Sequence, residues 1–425
     1  MRARSISQQT VRLLIAAAVL ATLTSGCDSA LDRSTGPTAA QTATPTATAA
    51  TITPVTPDGL ITGPGVSDDA ITVGLLVDPA RDRGFSDGVE LWQQAVNSSG
   101  GLCGRTVQLA TNGVDGVPAD VVQAYDAVGR ASVGLITLAP PAESAALNTA
   151  VAADQIPALT PAGTSAQLGP GRPIVVGPTD DILAINGLDY LLQTGRLEQG
   201  ATVGVMTDGS AAADNALRGA RWWASERGVT LDVRQADPNA AIPQWDAVTT
   251  VLALTDSAET ERLALATPAG TSILTTIDGY DPAGWSADAL AAATPGRILL
   301  STAAPAYGSD YPAAVAVASR ATAGQLPPGP RLFDGYATGL GWSRLLTQAC
   351  ADRTLTRRGV EQATTTVGPA SVDSLFGPSD TAQPVQSGLP ATRVSAMSTA
   401  DPGAPAGVTP LTWLQAASGI EDYVP

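Results

Sequence analysis

The 425-residue chain has no histidine and no lysine, so all 23 of its basic residues are arginines, and it has only three cysteines. Without histidine there is no His-dependent catalytic triad and no imidazole metal site. Without lysine there is no Schiff base and no Walker A phosphate loop. Hydrolysis by a carboxylate pair stays chemically open, but no spacing of Asp and Glu singles out a pair. An enzyme is therefore not expected, and neither a cofactor nor a metal is called for. Aromatic residues make up only 4% of the chain, so any core must be packed from small aliphatic side chains. Positive charge is scarce as well: 23 Arg against 39 acids leave a formal net charge of −16. No basic stripe is present, which argues against a nucleic-acid partner.

The cysteine at position 27 stands in a telling context. Arg2, Arg4 and Arg12 precede an apolar run over 13–23, which is followed by Ser25, Gly26 and Cys27. About a dozen apolar residues are too few to span a bilayer as a mature helix, and the arrangement has the build of an export signal. The ending Thr24-Ser25-Gly26-Cys27 resembles the bacterial lipobox, in which the cysteine is acylated and becomes the first residue; Leu is commoner where Thr24 stands. The alternative is an ordinary signal peptide with a cysteine nearby. Residues 28–68 are rich in Thr, Ala, Pro and Ser and have no periodicity with a core face, as a disordered tether would. Flexible-chain scaling gives it a root-mean-square reach of roughly 35 Å. The expectation is a signal peptide over 1–26, a tether over 27–68 and a body held by a lipid on Cys27 at the outer face of the cytoplasmic membrane.

Cys103 and Cys350 remain. Outside the membrane two leftover cysteines pair more often than not. Their bond would close a loop of about 250 residues, for which the chain-entropy relation allows on the order of 5 kcal/mol. Two buried free thiols are the other reading.

The body alternates strands with helices. ITVGLLV (71–77) is a nearly continuous apolar run, as a buried parallel strand requires. Val89, Trp92 and Val96 fall at helical spacing within 85–97, and Gly100 and Gly101 stop that helix. TVQLA, VGLITL and IPALT continue the alternation. After IVVGP (174–178) a second series follows: TVGVMT (202–207), a helix over 214–227 closed by Gly228, TLDV, VTTVLAL (248–254), SILTTI (272–277) and RILLST (297–302). Two more helices are expected near 312–323 and 334–350. A βα pattern in two sets predicts an α/β protein of two doubly wound, Rossmann-like lobes. In open sheets of this kind ligands sit at the carboxyl ends of the strands, so two facing lobes make a cleft. Trp222 and Trp223 lie mid-helix, one predicted for the core and the other partly exposed. The tail, 366–425, shows little periodicity until LTWLQAA (411–417) and is expected to end in a strand or extended segment on lobe two.

Several stretches carry a family likeness. ITVGLLVD, GVELWQQAVNSSGGLCGRTVQL, DQIPALTPAGTSAQL, ATVGVMTDGSAAADNALRGARWWASERGV and LFDGYATGLGWSRLL resemble, in order and spacing, the type 1 periplasmic binding proteins over roughly residues 69–365. The branch they resemble is the branched-chain amino acid (Leu/Ile/Val) binding proteins of ABC transporters. The resemblance implies two lobes joined by a hinge of three crossovers, with lobe one over 69–177 plus 304–352 and lobe two over 178–303 plus the tail, 353–425. Both remaining cysteines would then fall in lobe one.

The resemblance also implies a binding site. The loop TPAGT would offer Thr160, Gly163 and Thr164 to a ligand's ammonium and carboxylate, which need several oriented dipoles once desolvated. The family's ligand-binding serine falls at Pro141 or Ala142, its lobe-two aromatics near Ala212 and near Thr255 or Asp256, and its acidic residue one place from Asp278. Asp208, Asp256 and Asp278 each follow a lobe-two strand; together they would favour a cationic or ammonium ligand, or each simply caps the next helix. Tyr280 and Tyr307 are the aromatics placed to stack on a solute. The expected function is capture of a small polar solute, an amino acid or related amide or amine, by a monomer that delivers it to an ABC permease. The alternative is a sensory or scaffold lipoprotein of the same fold that binds a membrane or cell-envelope protein.

Overall fold

The computed structural model describes residues 58–78, 80–114, 118–138, 141–169, 173–245, 248–367, 375–377 and 388–425. The leader, Cys27 and most of the tether lie outside them. The tether's last stretch does not behave as predicted: residues 58–68 are part of the folded body. β1 (Ile61–Thr62) pairs with a strand near residue 354, and Asp58 accepts a 3.0 Å bond from the buried Arg105 guanidinium. A short Gly- and Pro-rich run reads as linker because its pairing partner is nearly three hundred positions away in the chain.

Lobe one is built first. β2 (Ala70–Val77), α1 (Arg83–Ser98), β3 (Thr106–Gly113), α2 (Pro118–Val128), β4 (Gly134–Thr137), α3 (Pro141–Ala153), β5 (Ala158–Thr160) and β6 (Ile174–Val175) follow in chain order. The five strands form a parallel sheet in the order β3-β2-β4-β5-β6. β2 lies second in that order and buries seven of its eight residues, which is why its sequence is a near-continuous apolar run.

The chain then crosses to lobe two with α4 (Asp180–Gln193), β7 (Thr202–Thr207), α5 (Ala211–Arg227), β8 (Thr230–Gln235), β9 (Thr250–Leu254), α6 (Ser257–Ala266), β10 (Ser272–Thr276), α7 (Ala287–Ala292) and β11 (Ile298–Thr302). α5 begins on a Ser210 cap and ends at Gly228, whose φ of 65° is the left-handed turn that glycine takes without strain. Trp223 is fully buried and donates to Asp189 at 3.0 Å, while the partly buried Trp222 packs on the buried Tyr423.

A second crossing returns to lobe one through α8 (Pro312–Ala323), α9 (Leu332–Ala351), β12 (Thr354–Leu355) and α10 (Arg357–Ala363). α9 lies so close against α1 that a Cβ at Gly88 would run into the Leu332 carbonyl, and one at Gly335 into that of Phe85. Cys103 and Cys350 are disulfide-bonded at a Cα separation of 6.3 Å, tying the loop after α1 to the end of α9. Residues 353–367 do not belong to lobe two as chain order implied. β12 pairs with β1, and Leu355, Val360 and Ala363 are buried in the lobe-one core.

A third crossing ends the chain in lobe two. β13 (Ser395–Ala400) runs antiparallel to β11, and β14 (Val408–Gln415) antiparallel to β13. The sheet order is β14-β13-β11-β10-β9-β7-β8. No helix among the described residues is long and apolar enough to cross a membrane.

Candidate functional site

The lobes meet where strand carboxyl ends face each other; Tyr311 of lobe one stacks on Trp413 of lobe two at 4.2 Å between ring centroids, and two separate groups of polar residues make further contacts. The first surrounds Asp181, in the first turn of α4 and fully buried. Its carboxylate accepts from the Thr179 hydroxyl, the Ser165 hydroxyl, the Tyr423 hydroxyl at 2.8 Å and the Ile182 N–H at 3.0 Å. Ser165 sits on the loop after β5 in lobe one. Its N–H donates to Asn215 Oδ1 at 2.8 Å, and Asn215 Nδ2 returns a bond to its hydroxyl at 3.1 Å. Lobe one is therefore tied to both α4 and α5 of lobe two. Burial, chiefly, holds the Tyr423 hydroxyl well above its ordinary range, with Asp181 adding to it.

The second contact joins Asp278, just after β10, to Arg331, the residue before α9. Arg331 is held in the left-handed region at φ 64°. Arg81, on the loop after β2, is the other cation on this side. Its partner Asp82, bonded at 2.9 and 3.0 Å, is the main cause that raises its guanidinium, and Asp278 adds to it from across the cleft. Asp180 lies on the same side. Crowding by protein, with Asp278 and Asp181 nearby, pushes its carboxyl up to about 8.

Beside the Arg331–Asp278 pair lies a cavity of about 30 Å³. Its walls are mostly apolar, among them Ile277, Ala304, Tyr307, Leu332, Phe333 and Val408, with Thr302, Arg331, Asp334 and Ser398 as polar members. Asp334 is 6% exposed, and burial pushes its carboxyl up to about 6, against the opposing pull of Arg331 and a bond from the Ala304 backbone. Its Oδ1 and the Ser398 hydroxyl have no hydrogen-bond partner among the described residues.

The predicted site residues divide on this map. Tyr307 lines the cavity, stacked on Phe333 at 5.7 Å between ring centroids. Asp278 is at the lobe contact, but its carboxylate is engaged by Arg331. Thr160 ends β5 and Gly163 and Thr164 lie on the loop that reaches lobe two, and the polar atoms resolved for them are bonded within the protein, Gly163 across to α4. The Thr160 hydroxyl donates to the Ala162 carbonyl at 2.9 Å, the Gly163 carbonyl accepts from Asp180 N–H at 3.0 Å, and Thr164 N–H donates to Gln167 Oε1 at 2.8 Å. Ala142 is in the first turn of α3. Asp208 is exposed and accepts from Ser210 N–H at 2.8 Å.

Two assignments are corrected. Asp256 is the cap of α6, accepting from Glu259 N–H at 2.9 Å, so its carboxylate is used by the helix end. Tyr280 offers no stacking face. It is 3% exposed, packs edge-on against Trp285 at 5.0 Å, and its hydroxyl donates to the Gly407 carbonyl at 3.0 Å. Burial pushes that hydroxyl up to about 12. Sequence reasoning passed over Asp181, Asn215, Arg331, Asp334 and Ser398. Asp334 had a usable signal, an acid in the first turn of a helix whose next residues, Gly335 to Thr338, are all uncharged. Ser398 had none.

Comparison with known proteins places this architecture. Residues 79–397 match the family described as periplasmic binding protein, and the chain belongs to that family. No curated protein sequence matches it. Among solved structures, it is similar to a fatty acid ABC transporter substrate-binding protein from Thermomonospora curvata. That match has 24% identity and a TM-score of 0.74, covering 88% of this chain and 99% of that one. It is also similar to a branched-chain amino acid ABC transporter structure from Thermus thermophilus with bound valine, at 14% identity and a TM-score of 0.63, covering 84% and 98% of the two chains. A solute binding protein from R. palustris in complex with benzoate matches at 16% identity and a TM-score of 0.61, covering 83% and 98%. These likenesses establish a shared fold of two α/β lobes.

Proposed function

We propose that the protein is an extracytoplasmic, lipid-anchored substrate-binding protein that captures a small polar solute between its lobes and delivers it to an ABC permease. The observation that carries this reading is the lobe contact at the strand ends, where a partly exposed ion pair, Arg331–Asp278, spans the two halves beside a cavity. Such a contact can open and reform as the lobes hinge, which admits and then encloses a solute. Family membership and neighbours described as binding valine and benzoate support the same role. The Arg2–Cys27 leader supports the anchor, and the acids around Asp278 support a solute with an amine or amide group.

A second reading, a sensory or scaffold lipoprotein that binds a protein partner, is favoured by the modest cavity volume of about 30 Å³. A thermal-shift screen separates the two. The purified chain is heated with amino acids, amides, amines, sugars, nucleosides and carboxylic acids in turn. A solute at about 100 times its dissociation constant stabilises by roughly 2.7 kcal/mol, which raises the midpoint of lobes this size by on the order of 5–10 °C. A rise with one chemical class supports solute capture. A flat response to every class, with a kinase or wall enzyme and no permease recovered on the chain, selects the second reading.

A further inference from the structure

The unsatisfied polar atoms of the interior converge on one place. Among the described residues six buried side-chain nitrogens or oxygens have no hydrogen-bond partner, and only Asp334 Oδ1 and Ser398 Oγ line the same cavity. They come from opposite sides: Asp334 from α9 in lobe one, Ser398 from β13 in lobe two. A buried polar atom left unpaired is unfavourable, so a group that bonds both atoms favours the closed arrangement of the lobes.

The chemistry of the two atoms limits that group. The Asp334 carboxylate accepts, with its other oxygen held by the Ala304 backbone, and a serine hydroxyl can accept too. Arg331, the cation at the cavity wall, is engaged with Asp278, and Asp334 makes no ion pair among the described residues. A carboxylate ligand would meet Asp334 as a like charge. An alcohol would bond it without balancing its charge. A primary ammonium has three donors and no acceptor, and matches both atoms in charge and in hydrogen bonding. A cavity of about 30 Å³ holds a group the size of one or two waters, which suits an ammonium head and leaves the rest of any solute outside it.

We propose that Asp334 and Ser398 form the subsite for the primary ammonium head of the solute, with Tyr307, Phe333 and Val408 flanking the carbon that bears it. This rests on the solute-capture reading above and narrows it to amines.

The test is titration calorimetry of the purified full chain at neutral pH with n-butylamine, n-butanol and butyrate at equal ionic strength. Butylamine is expected to bind, and the alcohol and the acid to bind at least about tenfold more weakly. Asp334→Asn, close in shape and folded by circular dichroism, is expected to lose about tenfold or more in butylamine affinity, and Ser398→Ala about three- to tenfold. Full-strength butylamine binding by Asp334→Asn overturns the subsite. Binding of butyrate in place of butylamine overturns the amine assignment and leaves solute capture standing. No response to butylamine, together with a flat response across the thermal-shift panel, overturns both.

Discussion

Two polar contacts between the lobes are built in opposite ways. Around Asp181, four donors from Ser165, Thr179, Ile182 and Tyr423 converge on one buried carboxylate, Ser165 alone reaching across from lobe one, and Asn215 of α5 bonds Ser165 in turn. Around Asp334, a carboxylate almost as deeply buried has an oxygen with no partner, and the ion pair beside it leaves Asp278 71% exposed. A saturated low-dielectric network has one favourable arrangement and resists opening. An exposed pair contributes little and is screened by salt. The first contact therefore acts as the fixed tie between the lobes. The second is the side whose closure a ligand can bias, because only there does closure leave bonds to be made.

Breaking the tie should have the largest effect. Asp181→Ala leaves three hydroxyls and an N–H without their acceptor and is expected to cost on the order of 3–5 kcal/mol. Urea unfolding measures it; a loss below about 1 kcal/mol would mean that the network does not hold the lobes.

Removing the unpaired charge should act in the other direction. Burial raises the folded-state value of Asp334 to about 6, above its unfolded value, so the native state holds that proton more tightly. Its contribution is fully present below about pH 4 and is lost as pH rises through about 6, by up to about 3 kcal/mol. Asp334→Asn is expected to be at least as stable as the parent at pH 8 and to show a flatter decline between pH 4 and 8. Part of the residual slope belongs to Asp180, which titrates with the same sign but over a window reaching about 8, and part to Asp87, which burial also raises. Unfolding curves at pH 5 and pH 8 check this, and an unchanged slope would place Asp334 in a better-solvated setting than the structure gives it.

A change that shifts α9 sharpens the comparison without touching either charge. Gly335→Ala drives a methyl group into the Phe85 carbonyl and is expected to cost about 1–3 kcal/mol. Because α9 carries Arg331 and Asp334 at its start, the same variant should bind solute less tightly while the Asp181 network stays intact. The smallest effect is reserved for Asp278→Asn. An ion pair this exposed is worth less than about 1 kcal/mol, and salt should reduce the difference further. Small-angle scattering should nonetheless show a larger radius of gyration for that variant if the pair biases closure.

Much of the fold was legible because its strands are buried on both faces. TVGVMT, VTTVLAL, SILTTI and RILLST appear as β7, β9, β10 and β11 with shifts of at most two residues at their ends. SAMSTA did not stand out, although β13 is wholly buried. Two of its three hydroxyl side chains are bonded to distant segments, Ser395 with the Ser301 hydroxyl at 3.3 Å and Thr399 with the Ile298 carbonyl at 2.9 Å, and Ser398 faces the cavity; none of this leaves a hydrophobic signature. The candidate site was legible only in part. Position after a strand picked out Asp278, which lies at the lobe contact, and Tyr307, which lines the cavity. The same rule chose Tyr280, whose ring turned out to fill a core, and Asp256, whose carboxylate caps a helix.

The sequence by itself determined the alternation of strands and helices, the two-lobed α/β plan and the family, because these follow from periodicity and order along the chain. Only the tertiary structure decided which polar groups are spent and which are left over. Asp181 meets Tyr423 across 242 positions and Arg331 meets Asp278 across 53. Hydrogen-bond satisfaction is a property of the space between distant segments, and residue type alone cannot express it.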